Sequence, residues 1–286
     1  METDRDREKS KLAKVCSDID ALVSAADIIV AHSTNKKNIR ELALEELDLG
    51  ACEDILDLGC AFGPFTRVLK GKVHPDACVT GIDCHRHYED VFRRSCTEAG
   101  VKGKFYASGI SEIAAFEEKS FDLILSSYSL YFFPEYLCRI SELLKDSGIF
   151  VAVTHCLPHM KELTDPVKNI LVKTHRFAAA DLPLETLIAR FSNENGYEIL
   201  SPWMGNIKTL EYKNSLIFGP ADVTAFIEYF RYKSDFFIPS VTYSKDNLME
   251  NIEFMLKKEM LSDRSLVISK DDVIFVCSEP LHRKTE

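Results

Sequence analysis

The chain has 286 residues, enough for one large domain or two small ones at roughly 100–200 residues each. Apolar residues make up 46% and charged residues 28%, a balance that excludes a disordered chain, a collagen-like repeat and a coiled-coil rod. With 35 basic against 45 acidic residues the net charge is −10. The chain as a whole therefore repels phosphate backbones, and since the sequence shows no basic stripe, no nucleic-acid partner is expected.

No apolar run approaches the ~20 residues that span a bilayer. The best candidate, Ala21 to Ala31, is short and contains Asp27, so no membrane partner is expected. The N-terminal residues are of mixed charge with no hydrophobic segment behind them, which predicts no signal peptide. The nine cysteines include no Cys-x-x-Cys pair. They read as reduced thiols of a cytoplasmic protein, mostly small core residues, with no zinc site and no disulfide framework.

Leu12, Val15, Cys16, Ile19, Leu22, Val23 and Ala26 recur at three- and four-residue steps and predict a helix of about five turns. After the polar break at His32-Ser33-Thr34-Asn35, a second helix carries Ile39, Leu42, Ala43 and Leu47 inward. Past Gly50, short apolar runs alternate with amphipathic stretches. Strands are expected at 54–58, 79–83, 104–107, 121–126 and 149–154. Helices are expected from Pro64 to Lys70, over Val91 to Ala99, and from Pro134 through Leu144.

The remainder predicts helices at 164–180 and 184–195, the latter stopped by Gly196, then strand character over 207–218. Helices at 220–230 and 244–261 and a last strand at 272–277 complete the pattern. Phe226, Tyr229, Phe230, Tyr232, Phe236 and Phe237 fit either a helix core or the wall of an apolar pocket, and their helical spacing favours the core. The organisation expected is an N-terminal helical cap over 1–50, a cofactor-binding core over 51–156, and a helical insertion with the rest of the same α/β domain over 157–286.

Strand–helix alternation implies right-handed crossovers and a doubly wound, mostly parallel sheet, seven-stranded and flanked by helices, with the N-terminal helices and the insertion capping the site. Such sheets bind ligands beyond the carboxyl ends of their strands. At that edge stands Asp57-Leu58-Gly59-Cys60-Ala61-Phe62-Gly63-Pro64. Gly59 lets backbone approach a ligand, and Gly63 opens the next helix. Twenty residues on, Asp83 ends the second strand, placed to accept bonds from two ribose hydroxyls. A dinucleotide turn needs Gly-x-Gly-x-x-Gly, and here those positions read Gly59, Ala61 and Pro64. Asp57 would repel a pyrophosphate but suits an ammonium group, which favours an amino-acid nucleoside over NAD.

Asp57 to Gly63 resembles the first motif of the class I S-adenosylmethionine-dependent methyltransferases, with Ala61 where a middle glycine is common. Asp83 matches the ribose acid of the second motif. Ser120-Phe121-Asp122-Leu123-Ile124-Leu125-Ser126 is similar to the family's fourth strand, and Leu143 to Phe150 to its turn into the fifth. The resemblance implies S-adenosylmethionine as cofactor, held by Asp57, Gly59, Cys60, Ala61, Gly63, Asp83, Cys84, Ser108, Gly109 and Ser126. The family often has an acid after its third strand to bind the adenine amino group. Here that region reads Ala107-Ser108-Gly109-Ile110, leaving Ser108 or backbone amides for the task.

Methyl transfer from a sulfonium needs alignment, desolvation and, for some acceptors, a base, so no catalytic residue is forced by the chemistry. The Asn/Asp-Pro-Pro-Tyr loop of amino-methylating relatives is replaced by Ser126-Ser127-Tyr128-Ser129, which disfavours nucleobase and glutamine amides. Tyr128 and Tyr131 are candidates to meet the methyl or orient a substrate, or else to pack the following helix. His155, just past the fifth strand, is the candidate base, with a loop role as its alternative. His159 gives a metal-like spacing with His155, but Pro158 breaks the helix and no third ligand is evident, so no metal is expected. His85 and His87 are expected to border the adenine or solvent. The reading is a methyltransferase acting on a small organic acceptor at oxygen, nitrogen or a carboxylate. A protein or tRNA methyltransferase and a non-catalytic cofactor-binding regulator remain as alternatives.

Overall fold

Runs of β-branched and apolar residues bounded by turn residues form the strands, and the computed structural model describes residues 18–175, 182–238, 245–260 and 265–282. In chain order the elements are α1 (Ile19–His32), α2 (Ile39–Leu44), β1 (Asp54–Leu58), α3 (Pro64–Arg67), β2 (Cys78–Ile82), α4 (Glu89–Ala99) and β3 (Lys102–Tyr106). Then come β4 (Phe121–Ser127), α5 (Leu137–Leu143), β5 (Leu144–His155), α6 (Lys161–His175), α7 (Pro183–Ile188), α8 (Gly196–Leu200) and β6 (Met204–Tyr212). The last are β7 (Ser215–Phe218), α9 (Val223–Phe237), α10 (Lys245–Met260), β8 (Leu266–Ser269) and β9 (Asp272–Pro280). The described residues fall into two units. One comprises Lys37–His155, Arg190–Tyr212 and the chain from Asp272; the other comprises the chain up to Lys36, Cys156–Ala189 and Lys213–Asp271.

The first unit holds a seven-stranded sheet in the order β3-β2-β1-β4-β5-β9-β6. β1 to β5 pair in parallel, and β9 runs antiparallel to both β5 and β6. This is the doubly wound, mostly parallel sheet expected from the alternation. Tyr106, Ile82, Leu58, Ser126 and Ala152 stand in register across five neighbouring strands, so everything just beyond them gathers at one carboxyl edge. Ile55, Val79, Leu123, Leu125, Val151 and Val153 form the core with Phe65, Leu69, Phe92 and Cys96 from the helices and Ile39, Ala43 and Leu44 from α2. Each Ile, Val, Leu or Phe among them contributes about 1.5–3 kcal/mol by leaving water. α4 buries Phe92, Ser95, Cys96 and Ala99 and ends at Gly100 in the left-handed conformation.

The second unit pairs β7 and β8 as an antiparallel ribbon, and Ser33 bridges to Leu216 beside it. His32 stacks on Phe218 at 4.3 Å, and Phe218 meets Phe226 edge-on at 5.2 Å. Phe226, Tyr229, Phe230, Phe236 and Phe237 of α9 are all buried, so they are core residues. Tyr232, only half-buried, instead lines a cavity of about 470 Å³ with Ala25, Ile28 and Ile227.

Several element boundaries differ from expectation. The helix at Pro64 ends at Arg67 and continues to Gly71 as turns. β5 begins at Leu144, not Ile149, because Leu144 already pairs with Phe121, and the strand runs on through Ser147-Gly148 with its register shifting between Phe121 and Leu123 of β4. The helix expected over 184–195 is only α7, and Gly196 starts α8 instead of stopping a helix: a Cβ there would lie 2.4 Å from the Phe275 ring. The run 207–218 splits at Lys213-Asn214 into β6 and β7, which join different sheets. The helix at 220–230 reaches Phe237, β9 reaches Pro280, and β8 was not anticipated. Leu12, Val15 and Cys16 of the first helical pattern, the end of the 164–180 helix, and Ser244 and Leu261 lie outside the described residues. Among the described residues no helix is long and apolar enough to cross a membrane.

Candidate active site

The turn from β1 into α3 is built on three left-handed residues, Gly59 (φ 68°), Ala61 (φ 44°) and Gly63 (φ 81°). Ala61 carries a side chain where that conformation costs least for glycine. Its N–H donates to the Asp83 carboxylate at 3.0 Å, which ties the turn to the end of β2. Gly59 is required for a reason the sequence did not give. A Cβ there would lie 2.5 Å from Cβ of Ser129, so its side of the turn faces the loop after β4. Ser129 donates to the Leu58 carbonyl at 2.7 Å, and its Oγ lies 2.7 Å from that of fully buried Ser126. Since the Ser129 hydrogen goes to Leu58, Ser126 is the donor of that pair. Cys60 is buried, its thiol held protonated by burial and by Asp57 and Asp83.

Asp83 keeps 10% of its side chain exposed. Its other oxygen accepts the His85 N–H at 3.0 Å and faces His85 Nδ1 at 3.2 Å. That contact raises His85 to about 10, so the ring is an imidazolium at neutral pH. The exposed Cys84 places its sulfur 3.1 Å from the same nitrogen. Asp83, Cys84 and His85 thus bring three potential metal-ligating atoms together, with Asp83 and His85 already paired. Beyond β3, Gly109 has φ 72° and donates to the Asp83 carbonyl at 3.2 Å. Ser108 donates its hydroxyl to Glu112 in the following turn. This contact puts the Glu112 carboxylate beside Ser108, just beyond the end of β3.

Asp57 is 2% exposed and accepts the Thr66 hydroxyl at 2.9 Å. Burial raises it to about 7, against the pull of Thr66 and Arg40. Arg40, from α2, escaped the sequence reading. Its guanidinium lies 5.6 Å over the Tyr128 ring, and its Nε is sealed from solvent with no hydrogen-bond partner among the described residues. Burial lowers its pKa while Tyr128, Asp57 and Asp272 hold it up. An unsatisfied buried N–H is costly. Here it sits beside carboxylates at the ligand edge of the sheet.

Tyr128 has φ 56°, a conformation a bulky residue adopts only where its surroundings impose it. Its N–H is fixed to the Val153 carbonyl at 2.8 Å, and its hydroxyl donates to Asp272 at 2.8 Å. Burial and Asp272 hold that hydroxyl protonated. His155 places Nδ1 2.6 Å from the other Asp272 oxygen. Its ring stacks on Tyr128 at 4.6 Å and on Tyr131 at 6.1 Å. The backbone after β4 is clamped by Arg190, which donates to the Tyr131 and Phe132 carbonyls at 2.7 and 2.8 Å and pairs with Glu135. The structure so brings Tyr128, Tyr131 and His155 together. Asp272 joins them because antiparallel β9 begins opposite the end of β5, with His155 and Asp272 in register.

Residues 55–148 match the family described as a methyltransferase domain. Over 99 residues the chain is 32% identical to aklanonic acid methyltransferase DauC of Streptomyces sp. (strain C5), covering 34% of this chain and 45% of that protein. Over 102 residues it is 30% identical to demethylmenaquinone methyltransferase of Lactococcus lactis subsp. lactis, covering 35% and 40%. The chain thus spans less than half the length of these curated relatives. The YcgJ protein of Bacillus subtilis superposes with a TM-score of 0.53 at 16% identity, covering 86% of this chain and 98% of that one. The fold is that of the class I S-adenosylmethionine-dependent methyltransferases, and residues 55–148 carry their methyltransferase domain.

Proposed function

We propose that the protein transfers the methyl group of S-adenosylmethionine to a small organic acceptor. One observation carries the reading: half-buried Arg40, whose sealed Nε–H finds no partner among the described residues, stands within electrostatic reach of buried Asp57 beside the Gly59–Gly63 turn. A cation and an acid held together in this way suit the carboxylate and ammonium of a zwitterionic amino acid, and fit a pyrophosphate poorly. Asp83, at the end of the neighbouring strand, suits a ribose diol. Glu112 with Ser108 suits the adenine amino group. These residues fit the cofactor in charge and in order along the sheet edge.

When bound, the cofactor supplies an electrophilic methyl on a sulfonium with a neutral leaving group. What the chain contributes is placement. Asp57 and Arg40 fix the amino-acid end, Asp83 the ribose, and the strained Tyr128 backbone sets the aromatic wall the acceptor meets. A small acceptor is supported by three relatives, whose names specify aklanonic acid, demethylmenaquinone and, at 25% identity over 160 residues, a fatty acid in Mycolicibacterium smegmatis, against one over 88 residues whose name specifies ribosomal RNA. The net charge of −10 weighs against a nucleic-acid acceptor.

The test is transfer of a radiolabelled methyl from S-adenosylmethionine into fractionated metabolite, protein and tRNA pools. Label in the metabolite fraction is expected. Label confined to protein or tRNA overturns the acceptor class, and binding without transfer to any pool favours a regulatory role.

A further inference from the structure

We propose that Asp83, Cys84 and His85 form a binding site for a soft divalent cation such as Zn²⁺, and that this cation and S-adenosylmethionine exclude one another. The exclusion rests on the methyltransferase reading; the cation site does not. His85 Nδ1 lies 3.1 Å from the Cys84 sulfur and 3.2 Å from Asp83 Oδ1. One ligating atom from each of the three residues falls within 4.8 Å of the others. A tetrahedral zinc ion with bonds of about 2.0–2.3 Å sets such atoms about 3.3–3.6 Å apart, so shifts of roughly a few tenths of an ångström admit it. Sulfur and imidazole nitrogen favour zinc over magnesium or calcium, which take oxygen donors.

Binding needs a thiolate and a deprotonated Nδ1, so the ion takes the place of the Nδ1 and thiol protons, which leave to solvent. The carboxylate is already oriented. Oδ2 of Asp83 accepts the Ala61 N–H and Oδ1 accepts the His85 N–H, each at 3.0 Å, as outer hydrogen bonds orient the ligands of a bound metal. Among the described cysteines Cys84 alone is exposed, so an ion reaches the site from solvent and keeps water on its open side. The placement sets the ion against the cofactor. Asp83 is the residue assigned to the ribose. A Cβ at Gly109 would lie 3.6 Å from that of Cys84, which puts the cysteine beside the Ser108–Gly109 turn assigned to the adenine. An ion held by Asp83 and Cys84 therefore meets the cofactor at both.

The probe is Co²⁺, whose thiolate complexes absorb in the near ultraviolet, added to the whole chain purified free of metal under reducing conditions. The expected result is a sulfur-to-cobalt band that saturates at one equivalent, that Zn²⁺ bleaches and that Mg²⁺ leaves unchanged. A band that climbs without a step at one equivalent marks an adventitious ion only and overturns the site. Cys84→Ser should abolish the band and weaken Zn²⁺ binding in calorimetry by at least about tenfold. A wild-type band in that variant places the metal on another cysteine and overturns the proposal. His85→Gln should weaken Zn²⁺ to a similar degree, and unchanged affinity removes the histidine and overturns the three-residue site. S-adenosylmethionine in excess should erase the cobalt band, and Zn²⁺ should raise the apparent Kd of the cofactor. A band that persists while calorimetry shows the cofactor bound overturns the exclusion. Failure of the wild type to bind S-adenosylmethionine at all counts against the methyltransferase reading and leaves the Cys84→Ser comparison to judge the cation site by itself.

Discussion

The Asp83 carboxylate accepts the backbone N–H of Ala61 at 3.0 Å, so the residue proposed to hold the ribose also ties down the turn between β1 and α3. Asp83→Ala removes both. Charge-assisted bonds of this kind contribute on the order of 1.5–3 kcal/mol, so cofactor affinity should fall tenfold or more. Asp83→Asn can still accept the Ala61 N–H and should keep the turn while losing the charge. Calorimetry on the two variants separates these effects, and unchanged affinity in Asp83→Ala removes Asp83 from the site.

Gly59→Ala places a Cβ 2.5 Å from Cβ of Ser129 at a φ of 68°. Overpacking and backbone strain of this sort cost about 1–3 kcal/mol each. Thermal unfolding of Gly59→Ala should therefore come several degrees early, and adding Ser129→Gly should recover part of the loss. Absence of any recovery means the clash is with something other than Ser129.

Asp57 makes stability and cofactor binding run in opposite directions with pH. Its folded-state value of about 7 lies above the ordinary 3.8. The stability its neutral form contributes is therefore complete below the unfolded value and is lost as pH rises through about 7. Binding of an ammonium group requires the carboxylate, so affinity should improve over the same range and be about tenfold weaker one unit below the folded value. His85, at about 10, stays charged throughout that window. Melting temperatures and S-adenosylmethionine titrations between about pH 5.5 and 7.5 should show the crossing trends, and Asp57→Asn should flatten both.

Arg40→Met tests the other end of the zwitterion. Decarboxylated S-adenosylmethionine lacks the group proposed to meet Arg40. The wild type should bind it more weakly than the intact cofactor, by about tenfold or more for a lost charge-assisted bond, and the variant should bind the two alike. A variant that still discriminates between them assigns the carboxylate to another residue.

The sheet and the glycine turn were legible in the sequence because both are local. A buried five-residue strand, a left-handed turn and an acid twenty residues on lie in one stretch of chain. What escaped depends on contacts between distant segments. Arg40 reads as one charge on an amphipathic helix and becomes conspicuous only because the fold seals its Nε against Tyr128. Asp272 reads as the first residue of a strand. The antiparallel direction of β9, which delivers it to His155 across 117 residues, has no local signature. Glu112 was hidden by a turn that folds it back onto Ser108. Gly196 misled in the other direction, since a glycine that admits an aromatic ring looks the same in sequence as one that stops a helix.

Direct titration of the purified protein with S-adenosylmethionine, and separately with NAD, tests the central claim most directly. The geometry of Asp57, Arg40 and Asp83 predicts saturable, one-to-one binding of S-adenosylmethionine that S-adenosylhomocysteine displaces, with no heat from NAD. Binding of NAD, or no binding of S-adenosylmethionine by a folded protein, would contradict it.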